Sequence, residues 1–342
     1  MIDAIVKEID LRHQFLRGKK IESIYFGGGT PSLLKEDEMG RIIKALENHF
    51  SWDSNAEITL EANPDDISKK KLKEWKNSGI NRLSIGIQSF NDEELKWMNR
   101  AHTAEESIAS VKMAQDFGFD NISIDLIYGS KFQNETNWPQ TLNKAISLCV
   151  HHISSYNLTI EKKTLLGTNF VRNKEPAIDE ELSTKQFLTM SEVLEAHNFI
   201  HYEISNFGKK DFFAKHNSNY WLQQHYLGIG PSAHSFDGHS RQWNLRSNNK
   251  YIKEVLGSGM FFEKEMLQTK DRYNEYVLTR LRTIWGCNIL EIESLFGKFF
   301  SEHFKGNIEP KKEFIQIKNS VFTLNKKGRL QADGIASDLF FL

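Results

Sequence analysis

Polar residues stand at the ends of short apolar runs at a regular interval through the first half of this chain: Thr30, Glu61, Gln88, Asp125 and Asn157. The interval of roughly 30 residues is that of one strand, one helix and two loops, the repeat of a barrel of parallel strands. Ligands of such barrels meet the loops at the carboxyl ends of the strands, so this spacing also says where function collects. The stretch YFGGGTPSLL, Tyr25 to Leu34, opens the series. Three consecutive glycines after a strand let the backbone approach a ligand closely and expose its peptide groups, and Thr30 and Pro31 then cap the following helix. The run lacks the GKS or GKT ending of a phosphate loop and the GxGxxG spacing of a dinucleotide fold, so a tight turn accounts for it equally well when taken alone.

The pattern between these points alternates helix and strand. Ile2, Ile5, Val6, Ile9 and Leu16 recur at helical spacing, Gly18 supplies a stop, and the chain begins inside a helix. IESIYFGG reads as a buried strand, and Met39, Ile42, Ile43, Leu46 and Phe50 mark the face of the next helix. AEITLEANP is a strand, Ser68 to Ser78 a helix and RLSIGIQS a strand; two helical stretches between Asp92 and Phe117 precede NISIDLIYG, and HISSYNLTI follows. Five strands by Ile160 and a sixth at about Phe199 to Ile204 predict an α/β chain with a parallel sheet, a partial TIM-like barrel.

From about Glu265 helices follow one another. Tyr273, Tyr276, Val277, Arg280, Leu281 and Ile284 share one face, and Ile289, Ile292, Leu295, Phe296 and Phe299 another. SVFTLNKKGRLQADG predicts a hairpin turning at Asn325 to Gly328 and then a last helix, a small winged-helix-like domain over 263–342 after a first domain over 1–262. With 44 Lys and Arg against 45 Asp and Glu, the net charge of −1 gives no global attraction to nucleic acid or anionic lipid. Two cysteines, no signal peptide and no long apolar stretch predict a cytoplasmic protein without an integral membrane segment.

Glu61 in LEANPDD and Asp125 in IDLIYG end apolar strands, so their carboxylates would project over the barrel mouth and accept hydrogen bonds from ribose hydroxyls or an amino group. Helix capping, the alternative, suits Asp65 and Asp66 better. Gln88 offers a donor and an acceptor at equivalent depth, and Arg100 in WMNRAH is a fixed cation suited to a carboxylate.

YFGGGTPSLL, EANPDD, GINRLSIGIQSFNDEELKWMNRAH, NISIDLIYG, SYNLTIE and YEISNF together resemble the radical S-adenosylmethionine (SAM) proteins of the oxygen-independent coproporphyrinogen III oxidase type. The resemblance runs along essentially the whole chain and implies a (β/α)6 radical SAM barrel. It places Gly28, Gly29 and Thr30 at the methionine part of S-adenosyl-L-methionine and implies ligand contacts at Glu61, Gln88, Arg100 and Asp125. The roles it implies are Arg100 on the carboxylate, a carbonyl of the glycine run on the ammonium, and Glu61, Gln88 or Asp125 on the ribose. HNSNYW, His216 to Trp221, matches the HNxxYW signature of the heme-chaperone branch. It makes His216 the candidate axial ligand of heme iron, with Tyr220 and Trp221 flanking the macrocycle. His234, in the Gly-rich loop LGIGPSAHSF, is a weaker candidate. The function implied is a chaperone that binds heme, dimerises or meets a heme-accepting respiratory protein, and hands the heme on; the alternative is oxidative decarboxylation of coproporphyrinogen III.

Family members hold a [4Fe-4S] cluster with a CxxxCxxC segment after the first strand, and reductive cleavage then yields a 5'-deoxyadenosyl radical. Here only Cys149 and Cys287 are present, far apart, with Cys149 read as a buried thiol in the apolar face of ISLCV. The chain is therefore expected to lack the first strand and the cysteine loop, through loss of an upstream segment, and to assemble no cluster.

Overall fold

The computed structural model of the chain describes residues 1–16, 18–160, 165–172 and 177–342; Arg17 and Glu161, which closes the SYNLTIE segment, lie outside the described residues. The strand ends are carried by a curled seven-stranded sheet of β1 (Ile21–Phe26), β2 (Trp52–Ala62), β3 (Arg82–Gln88), β4 (Asn121–Tyr128), β5 (His152–Asn157), β6 (Ile200–Glu203) and β7 (Asn206–Gly208). The spatial order is β1-β2-β3-β4-β5-β7-β6. Strands β2 to β5 pair in parallel, as the alternating pattern predicts. The sixth strand falls where expected, but β7 turns back between β5 and β6 and pairs antiparallel with both. At three residues it is too short to leave a periodic signal.

The two faces of this sheet differ. Ile58, Leu60, Ala62, Leu83, Ile85, Ile87, Ile122, Ile124, Leu126 and Ile153 are buried on one face. On the other, the register aligns Thr59 with Arg82 and Asn121, then Glu61 with Ser84, Ser123 and His152, then Asp125 with Ser154. Parallel strands covered on both faces normally run apolar throughout, so a polar face in the middle of the sheet marks a lining rather than a packed core.

Helices begin and end on local chemistry. Ser68 accepts from the Lys71 amide and opens the helix Lys69–Asn77, within the expected Ser68 to Ser78. The first helix, Ile2–Arg12, passes into a 3-10 turn at His13–Leu16 before Gly18 at φ +69°. Thr30 and Pro31 open a single 3-10 turn, Pro31–Leu33, rather than a helix; the next helix, Glu36–His49, starts after Lys35, whose amide donates to Glu38.

The chain forms two compact units. The first joins 1–23, 34–56 and 215–342; the second joins 24–33 and 57–214. Residues 263–342 lie wholly in the first. That unit also contains an antiparallel sheet of β8 (His234–Phe236), β9 (Ser240–Asn244) and β10 (Phe262–Met266). In its C-terminal part, β11 (Cys287–Asn288), β12 (Ile315–Lys318) and β13 (Val321–Leu324) make a small sheet beside the helices. The hairpin turns at Asn319 and Ser320, both at positive φ as a tight two-residue turn requires, and not at Asn325 to Gly328. Asn325 instead caps the short helix Lys326–Arg329 through the Gly328 amide. The apolar face expected over 289–299 is interrupted by Gly297 at φ +95°, which separates the helices Ile289–Phe296 and Lys298–Ile308 and leaves Leu295 and Phe299 exposed. Among the described residues no helix is long and apolar enough to cross a membrane.

Candidate functional site

The glycine run after β1 bends because Gly28 and Gly29 sit at φ +75° and +70°, where a side chain is strained. Gly27 is needed for space: a β-carbon there would collide with the Tyr25 ring and lie 2.9 Å from Glu61 Oε1. Glu61, at the end of β2, accepts from the Tyr25 hydroxyl at 2.6 Å and from the Gly28 amide at 3.0 Å. Ser32, fully buried, donates to Asp66 at 2.6 Å, and Asn63 donates to the same carboxylate oxygen at 3.2 Å. Asp66 thus fastens the glycine loop to the loop after β2, and neither it nor Asp65 caps the helix that follows. Thr30 is exposed on the loop.

Arg100 follows a turn in which Asn99 takes φ +57°. Its guanidinium donates to Asn63 Oδ1 at 2.7 Å and to the Gly86 carbonyl at 3.1 Å, both neutral acceptors. Burial lowers its pKa while Asp65, Asp125 and Asp66 oppose the shift, so the group stays cationic and half-buried. Gln88 ends β3 at φ +68°, beside a break in the β3–β4 register. A β-carbon at Gly86 would lie 2.9 Å from Gln88 Nε2 and 3.4 Å from the Arg100 guanidinium. Glycine at this position therefore leaves the space that Gln88 and Arg100 share.

Asp125 takes both oxygens of its carboxylate to within 3.3 Å of Ser84 Oγ. Burial, and then Glu61, push its pKa up to about 6 against hydrogen bonds from Ser154 and Ser84 that lower it. The side chain keeps some access to solvent, so the group is poised between its two states and not locked neutral. Asn157 is exposed at the end of β5, level with Tyr128 of β4, against Gly129. Glu61, Gln88, Arg100 and Asp125 thus lie on neighbouring strands and their following loops, with Tyr25 bonded to Glu61, Ser84 to Asp125, and Asn63 and Gly86 to Arg100. Those four partner residues are not singled out by sequence reasoning, although all of them sit inside the motifs YFGGGT, EANPDD and GINRLSIGIQSF.

HNSNYW lies in the first unit, on the helix Lys215–Trp221. His216 Nδ1 pairs with Ser23 Oγ at 3.1 Å, which orients the ring. Trp221 Nε1 donates to Asn217 at 3.0 Å, and the Arg282 guanidinium stands 5.2 Å from the Trp221 ring centroid. One face of Trp221 is therefore occupied, and Tyr220 is 47% exposed and touches Tyr226. His234 is exposed on β8.

Cys149 is exposed in the turn after the helix Asn137–Ser147, at φ +56°, and not buried on an apolar face. The helix stops two residues short of it, so its periodicity does not carry that far. Cys287 is fully buried, and burial pushes its thiol up, away from the thiolate a metal needs. Among the described residues no group of three or more His, Cys, Asp or Glu could hold a metal ion. Two cysteines so placed do not fit the three thiolates of a [4Fe-4S] cluster, and no chemistry through such a cluster follows from these residues.

Residues 2–145 match the model of the radical SAM superfamily. The heme chaperone HemW of Bacillus subtilis is 30% identical over 314 residues, covering 91% of this chain and 83% of that protein. HemW of Lactococcus lactis is 32% identical over 301 residues, 88% of this chain and 79% of that protein. The coproporphyrinogen III oxidase HemN of Escherichia coli, a radical SAM enzyme, shares the fold with a TM-score of 0.80 at 24% identity, over 99% of this chain and 82% of its own. The chain belongs to the family of the HemW heme chaperones, with a radical SAM domain over residues 2–145.

Proposed function

We propose that this chain is a heme chaperone: it binds S-adenosylmethionine at the rim of β1 to β4 and heme at the HNSNYW helix, and passes heme to a respiratory acceptor in the cytoplasm. The observation that carries this reading is the likeness to HemW proteins, which extends over 91% of the chain. The rim residues suit the sulfonium nucleoside. Arg100 holds a cationic fork on neutral partners and can take the methionine carboxylate. The open space over Gly28 and Gly29 leaves carbonyls for the ammonium. Because Glu61 already holds Tyr25 and the Gly28 amide, the ribose falls to Asp125 and Gln88, and Glu61 keeps the loop in shape. Bound S-adenosylmethionine would supply an activated sulfonium; the chain's own part is to orient it.

His216 is the heme-iron ligand in this reading, and a homodimer is a second route for heme transfer. Heme titration of the wild type and of His216→Ala tests it: the wild type gives a saturable Soret shift, and the variant binds more weakly with a displaced band. Equal affinity with an unchanged Soret position would remove His216 from the account. Turnover of coproporphyrinogen III to a decarboxylated product would replace the chaperone reading with the oxidase.

A further inference from the structure

A cavity of about 160 Å³ lies within the first unit, at the end of the helix that carries HNSNYW. Leu222, the residue after Trp221, forms part of its wall together with Phe236, Leu295 and Phe296, and Arg272 and Arg280 reach into it from the helix Thr269–Leu281. The carboxylates at this place are already matched. Glu275 pairs with Arg241 at 2.8 Å, and Glu291 pairs with Arg280 at 3.2 Å while accepting from the Tyr276 hydroxyl at 2.7 Å. Arg272 is left over: among the described residues it has no ion pair, and its guanidinium stands 5.8 Å from the Phe296 ring centroid.

One uncompensated guanidinium beside an apolar wall forms a receptor for a carboxylate on an apolar body. The volume corresponds to about five waters, enough for a short acidic side arm and far too little for a macrocycle. The ligand must therefore enter by an edge. Leu222 continues the motif helix, its amide bonded to the Ser218 carbonyl at 2.9 Å. It stands six residues beyond His216, about 9 Å along the helix axis and about 120° around it. The carboxylates of a porphyrin lie at a comparable distance from its central metal.

We infer that this cavity takes a propionate of heme, with Arg272 and Arg280 binding the carboxylate, Leu222, Leu295 and Phe296 meeting the adjoining ring edge, and the iron directed to His216. The inference rests on the heme-binding reading above and adds to it the determinant that selects a carboxylated tetrapyrrole. The full chain and its Arg272→Gln variant are titrated with heme and with heme dimethyl ester, in which both carboxylates are masked. The wild type should bind heme roughly tenfold more tightly than the ester, and the variant should lose that preference by weakening for heme alone, with the Soret position unchanged. Equal melting midpoints verify the fold, and Arg272→Lys, which restores the charge, should recover part of the preference. If Arg272→Gln keeps the full preference, or Arg272→Lys recovers none, the cavity is not the propionate site. A cavity that fails in this way while His216→Ala still weakens binding leaves the chaperone reading standing; a wild type that binds no heme overturns both.

Discussion

The polar face shared by β2 to β5 and the aromatic layer of the C-terminal helices are built from opposite materials. In the first, Thr59, Arg82, Ser84, Ser123, His152 and Ser154 are all buried, and Ser123 bonds with His152 at 2.7 Å and with Ser154 at 3.3 Å, while His152 meets the Tyr202 hydroxyl at 2.8 Å. Burial, and then Arg82, hold His152 well below its ordinary pKa and therefore neutral. In the second, Tyr273 packs against Phe296 and Phe300 at centroid separations of 5.8 and 4.8 Å, and Phe304 meets Phe322 edge-on at 5.2 Å. Aromatic contacts of this kind stabilise the fold directly. The polar layer does not close on itself: Thr59 Oγ1 is buried with no hydrogen-bond partner among the described residues.

The contrast can be broken most forcefully at Phe304, which is fully buried. Phe304→Ala should lower the stability of the chain by about 3–5 kcal/mol, read as a fall in the urea midpoint at constant slope. A loss below about 1 kcal/mol would mean that the aromatic layer is not what holds this region.

A smaller effect with a definite sign is expected at Asp125. Its folded pKa of about 6 stands above the ordinary 3.8. The stabilising contribution of its neutral form is therefore complete below the unfolded value and lost as pH rises through about 6. Above that, the ionised group weighs on the fold by at most about 3 kcal/mol, and by less to the extent that solvent reaches it. Asp125→Asn should accordingly gain on the wild type as pH rises from about 4 to about 7, and denaturation curves across that range should show the gap opening. A gap that does not change with pH would place Asp125 in an ordinary solvated setting.

The smallest change sharpens the comparison by reversing the usual direction of a mutation. Thr59→Val keeps the shape of the side chain and removes the hydroxyl that has no partner, so it should raise stability by about 1 kcal/mol in the same urea assay. Destabilisation instead would show that the hydroxyl is satisfied and that the polar layer is an ordinary core.

Much of this was legible in the letters. Ser68 and Ser78 bracket a helix because a serine cap and a short apolar period agree, and the interval between strand ends needs parallel pairing. The polar face was equally present, in I-T-L-E-A, R-L-S-I-G-I-Q and N-I-S-I-D-L, but strands read as simply apolar conceal it; only the register shows that their polar residues share a side. Cys149 was misread because an exposed turn at positive φ follows the helix without any glycine to announce it. The hairpin at Asn319 and Ser320 lost to the more familiar Asn-to-Gly signal six residues later. The partners of the rim, Tyr25, Asn63, Ser84 and Gly86, could not be named in advance, since their roles come from strand adjacency across dozens of residues.

The central claim is that the strand-end rim grips S-adenosylmethionine through Arg100. Calorimetric titration of the full chain and of Arg100→Ala with S-adenosylmethionine tests it most directly. The account predicts saturable binding by the wild type, weakened by about tenfold or more in the variant; equal affinity in the two proteins, or no binding by the wild type, would contradict it.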